Sequence, residues 1–195
     1  MVAVDQFAPL GLLIVAGSCL FLLFVWKPGW QLLALMGMYL GVFGLVASIW
    51  PLELALVKLV AGWVSVVILG FALVGTGYEA EKGALLSGLI RLLAGLLISL
   101  VAISLTPTAK GWLPQVSPEV LIGGIMLLGL GLLQISLTTR ILPLILGLLT
   151  CLAGFEVLYA RLELSVLVTG LLATVNICLA LLGAYLLVNM LEVRG

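Results

Sequence analysis

Histidine is absent from this chain of 195 residues, and charge of either sign is scarce: eight acidic residues face eight basic ones, together 8% of the sequence. Imidazole is the usual axial ligand of haem and the commonest side-chain ligand of transition metals, so neither a haem nor a zinc site is expected, and no cofactor is implied. A formal charge of zero leaves no basic face for nucleic acid and none for an acidic soluble partner. Cysteine is limited to Cys19, Cys151 and Cys178, each alone in an apolar run without C-x-x-C spacing, where a free thiol acts as a small hydrophobe. A nucleophile elbow, a P-loop, paired catalytic carboxylates and metal-ligand spacing are also missing, which argues against an enzyme.

What the chain does have is apolar surface. It is 65% hydrophobic, with a mean hydropathy of +1.44, and no soluble domain of that composition keeps its surface wet. The expected fold is an all-α membrane protein, a polytopic bundle of about seven transmembrane helices forming one domain over 1–195, with the lipid bilayer as its first partner. Residues 1–8 hold Asp5 and no basic residue, so the positive start of a signal peptide is not seen.

A helix needs about 20 apolar residues at 1.5 Å each to cross a hydrocarbon core of roughly 30 Å. Runs of that kind fall roughly at Pro9 to Trp26, Gln31 to Ile49, Leu52 to Val74, Ala84 to Leu105, Glu119 to Leu137, Ile141 to Ala160 and Leu164 to Val188. Between them lie Lys27-Pro28-Gly29-Trp30, Trp50-Pro51 and the charged loop Gly75 to Gly83. Thr106 to Pro118 reads as the longest connection, with Pro107, Pro114 and Pro118 in it, and Ser117-Pro118-Glu119 as a helix start. Small residues cluster on the second run (Gly37, Gly41, Gly44) and the fifth (Gly123, Gly124, Gly129, Gly131), where neighbouring backbones can approach closely. They exceed the needs of one small bundle, so other integral membrane subunits are expected as partners.

Chemistry is confined to ionisable groups inside the apolar runs. Glu156 stands foremost, because a charge facing lipid costs at least ~2.5 kcal/mol and such a residue normally faces protein or a wet cavity. Tyr159, Arg161 and Asn176 are its expected partners, and Gly154 makes room for a neighbouring chain. Lys58, two turns into its helix, is expected to snorkel to the interface like Glu53 before it, whereas Arg91 is expected to face protein. Asn176 lies seven residues after Thr169 and shares its helix face. Glu156, Asn176, Lys58 and Arg91 are therefore the candidate residues of an ion path. The alternative is a static interfacial cluster in a purely structural or assembly subunit that packs other chains or pigments.

The C-terminal third carries a turn with arginine, Thr139-Arg140, a helix with Gly147 and then Gly154-Phe155-Glu156, and a last helix containing Leu-Ala-Leu-Leu. It resembles the small membrane subunit beside the antiporter-like subunits of complex I, and the longer forms in hydrogenase-4-type and cation/proton antiporter complexes. The resemblance implies an integral membrane subunit of a larger energy-transducing complex, engaged in ion transport and proton translocation. Asn176 stands where a second glutamate would be sought.

Seven crossings put the chain ends on opposite sides of a cell membrane. Lys27, Lys82, Arg140 and Arg194, with Arg91 nearby, mark one side; Lys110 and Arg161, with Lys58 nearby, mark the other. Basic excess marks the cytoplasm, so the N-terminus is expected outside and the C-terminus inside. Single cysteines introduced at Glu81 and Thr108 should label from opposite sides, position 81 from the cytoplasm; labelling from one side would refute this topology.

Overall fold

The computed structural model describes residues 7–76, 85–112, 114–162 and 165–192. Among these described residues seven helices follow one another: α1 Phe7–Phe24, α2 Pro28–Ala47, α3 Leu52–Thr76, α4 Leu85–Trp112, α5 Pro118–Ser136, α6 Ile141–Tyr159 and α7 Val166–Glu192. Six are long and apolar enough to cross a membrane, and α1 is apolar but shorter. The all-α polytopic bundle expected from the apolar runs is the observed architecture. Most of the charged loop, including Lys82, lies outside the described residues, as does Arg194.

The helices stand in two rows. α1, α2 and α3 pack side by side in one, α5, α6 and α7 in the other, and the rows face each other as α1 on α5, α2 on α6 and α3 on α7. α4 packs on α1 and α5 at one end of this block. Successive helices alternate in direction, so the N-terminus of α1 and the α2–α3, α4–α5 and α6–α7 connections share one face, hereafter the N-terminal face. Ala8, Ser48, Glu119 and Arg161 indeed border one cleft there, while Trp26, Arg91 and Arg140 border another on the opposite face.

Three helix limits depart most from the apolar pattern: α7 runs on past Val188 to Glu192, and the other two are the start of α2 and the end of α4. α2 begins at Pro28, because proline at the first helical position gives up an amide that would be unpaired anyway. α4 runs through Pro107 to Trp112, so the long connection expected from Thr106 is short. Proline removes one amide donor, the one that would reach Ile103 O, and membrane helices tolerate such a residue inside their span; the Thr106 hydroxyl donates to the adjacent carbonyl, Ala102 O, at 2.9 Å.

The glycine faces are used within the chain. α5 and α6 approach so closely that a Cβ on Gly154 would stand 2.7 Å from Leu128 N and 2.9 Å from Gly124 O. The room at Gly154 is thus filled by α5, not by another chain. The same holds on α2, where a Cβ at Gly41 would meet Val15 N of α1 at 2.7 Å. Since lipid tails are as apolar as leucine, close packing of this sort drives helix association in a bilayer. Gly154→Val should therefore cost about 1–3 kcal/mol in a detergent unfolding titration, whereas Gly170→Ala, which meets nothing within 4 Å, should be neutral or stabilising; equal effects would contradict this packing.

Candidate functional site

Four helices, α2, α3, α6 and α7, form a square in the bundle: each side is a packed helix pair, but the diagonals α3–α6 and α2–α7 are not. Each helix places a polar or charged side chain inside. On α3, Lys58, Gly62 and Ser65 follow at spacings of four and three, which stacks them on one face. α6 supplies Glu156, α2 supplies Tyr39 and α7 supplies Asn176.

Lys58 Nζ and Glu156 Oε2 form an ion pair across the α3–α6 diagonal, with the two side chains only 5% and 4% exposed. Beyond this contact, neither the ammonium nor either carboxylate oxygen has a hydrogen-bond partner among the described residues. The α2–α7 diagonal is closed by Tyr39, whose hydroxyl donates to Asn176 Oδ1 at 2.8 Å. Asn176 Nδ2 donates in turn to Ser65 Oγ at 3.0 Å, and that hydroxyl donates to Ala61 O at 2.9 Å. Tyr39, Ser65 and Asn176 are wholly buried.

The two diagonals touch. Lys58 Nζ lies 5.7 Å from the centroid of the Tyr39 ring, within reach of a cation–π attraction. Gly62 permits this, since any Cβ there would run into the same ring. In depth, Glu156 and Lys58 lie about 5 and 9 Å along their helices from the N-terminal face, and Asn176 and Ser65 about 15 and 20 Å. A polar line thus descends from that face to the middle of the bundle. At its upper end, Trp50 Nε1 donates to Ala160 O at 2.5 Å, one turn beyond Glu156, and fastens the α2–α3 connection over the end of α6.

Of the residues singled out by sequence, Glu156, Lys58 and Asn176 come together here. Lys58 does not snorkel to the interface: it turns inward, because Glu156 offers a counter-charge and α3 is flanked by α2 and α7 on that side. Nor is Glu156 partnered by the residues nearest in sequence. Tyr159 stacks on Phe155 with ring centroids 5.5 Å apart, Arg161 is exposed on the N-terminal face, and Asn176 is taken by Tyr39 and Ser65. Arg91 is far from this group, half-exposed near the opposite face, donating to Leu137 O at 3.0 Å and lying 4.3 Å from the Trp26 ring centroid.

Sequence reasoning passed over Tyr39 and Ser65. Ser65 stands seven residues after Lys58, a spacing that puts the two on one face; Tyr39 gave no comparable signal, being an aromatic residue in an apolar run. Neither family models, characterised proteins nor solved structures yield a match to this chain.

A buried charge left without its partner costs about 3–5 kcal/mol, while replacing both partners by apolar groups of like volume is often neutral or stabilising. Lys58→Met and Glu156→Leu should each lower stability by about that amount, and the double variant should recover most of it. Unfolding titrations of all four proteins give the coupling; additive losses would mean that the two side chains do not pair.

Proposed function

We propose that this chain is an ion-path subunit of a membrane complex, with the Lys58–Glu156 pair as its protonatable element. The observation that supports this is the incomplete satisfaction of the pair: a carboxylate and an ammonium sit in the bundle interior with hydrogen-bonding capacity unused, and intramembrane ionisable groups mark ion and proton routes. Protonating Glu156 removes the charge that holds Lys58 across the square, so one proton changes the attraction between α3 and α6. The hydroxyl, amide and hydroxyl of Tyr39, Asn176 and Ser65 extend polar groups from the pair toward mid-membrane, where they can orient a migrating proton or a small cation. Membership of a larger, energy-transducing assembly rests on the resemblance of the C-terminal third to small complex I and antiporter subunits, since the glycine faces are occupied within the chain.

Orientation belongs to the same proposal. With Lys58 buried and paired, the described basic residues are Lys27, Arg91 and Arg140 near the face opposite the N-terminus, against Lys110 and Arg161 near the N-terminal face. The bias supports an orientation with the C-terminal side in the cytoplasm of a cell membrane and the N-terminus outside.

A second reading is favoured by one observation. Tyr39, Asn176 and Ser65 are mutually satisfied, as in a fixed brace, and a brace would make the chain a structural subunit. Glu156→Gln separates the two, because it keeps the shape of the side chain and removes the titratable proton. With the native membrane assembly reconstituted in vesicles, an ion-path role predicts loss of proton or cation flux with the assembly intact. Unchanged flux in an intact assembly would leave the brace.

A further inference from the structure

We infer that the cleft on the face opposite the N-terminus binds the phosphate of an anionic phospholipid. The cleft is bordered by Trp26, Gln31, Arg91, Thr138, Arg140 and Pro143, drawn from four parts of the chain that the row packing brings to one end of the bundle. Two guanidinium groups border it. Arg91 is held in place from two sides, by the carbonyl of Leu137 and by the Trp26 ring, so its planar donor fork is positioned before any ligand arrives.

Neutral donors complete the set. Arg140 directly precedes α6, whose first turn has no side-chain cap; amides at such a start carry partial positive charge and favour an anion. Thr138 Oγ1 accepts from Arg140 N at 3.2 Å, which leaves its hydroxyl proton for a further acceptor. Phosphate oxygens suit this mixture of charged forks, amides and a hydroxyl.

The surroundings point to a lipid rather than a soluble ester. Arg91 is the seventh residue of α4, about 9 Å along the helix, and Trp26 is an aromatic side chain of the sort found at headgroup level. Among the described helices α4 packs on α1 and α5 alone, and Leu86, Leu89, Ile90 and Leu93 near its start are exposed, as is Leu137 at the cleft itself. Acyl chains can lie on that apolar strip while the headgroup enters between the arginines. Basic pockets between membrane helices are known to select anionic headgroups in this way.

The test uses the full chain in mild detergent, with lipid retention read by native mass spectrometry for phosphatidylglycerol against phosphatidylcholine. The expected result is a preference for phosphatidylglycerol, one molecule per chain, that falls about tenfold or more in Arg91→Gln/Arg140→Gln and largely survives in Arg91→Lys/Arg140→Lys. Arg140→Gln alone, an exposed change that leaves the Arg91 contacts in place, should cost about fivefold, while Arg161→Gln on the other face should change nothing. Equal retention of the two lipids, or a preference untouched in the Arg140→Gln protein, overturns the inference. Displacement of the bound lipid by inorganic phosphate at equal concentration would show a soluble-anion site, and overturns it as well.

Discussion

The crossed polar contacts inside the α2, α3, α6, α7 square are the constraint on which this half of the bundle depends. Helix pairs along the sides of the square are held by ordinary close packing. Across the diagonals the backbones stand too far apart for that, and only long side chains reach: Lys58 to Glu156 in one direction, Tyr39 to Asn176 in the other. In a bilayer no hydrophobic drive favours one apolar helix pairing over another, so polar contacts weigh heavily in choosing which helices stand opposite. A lysine and a glutamate 98 residues apart in sequence thus tie the third helix to the sixth, and with it the first row to the second.

The two diagonals differ in kind. Tyr39, Asn176 and Ser65 form a chain in which each donor finds its acceptor, and satisfied networks of this sort rigidify a protein. The ion pair beside it is charged, nearly dry and only partly satisfied, and the attraction that holds it depends on the charge of both partners. In the proposed ion-path role, the brace would keep the helices in register while the charge-dependent contact strengthens or weakens. The contact over Trp50 and Ala160 closes the same region toward the N-terminal face.

Elsewhere the close approaches of α1 to α2 and of α5 to α6 make a tightly packed middle, and α4 and α7 remain largely exposed to lipid. This division explains why small residues gather on the second, fifth and sixth helices. It also locates the arginine-lined cleft, which opens where the packed middle gives way to the lipid-facing α4.

Membrane location, helix number and most helix limits were legible in the sequence, because the cost of exposing polar groups to lipid forces apolar runs of nearly fixed length. The prominence of Glu156 was legible for the same reason. Pro107 misled, since local propensity predicts a break where α4 runs on to Trp112 with one backbone amide donor fewer. Lys58 misled as well: two turns from a helix end, the side chain has length enough to reach water or to turn inward, and only the position of a counter-charge on another helix decides between them. Apolar periodicity says that a helix crosses, not which helix stands beside it. The pairing of Lys58 with Glu156, the place of Tyr39 beneath it and the filling of Gly154 by α5 were decided by the tertiary arrangement alone, because each depends on contacts between residues that the sequence holds far apart.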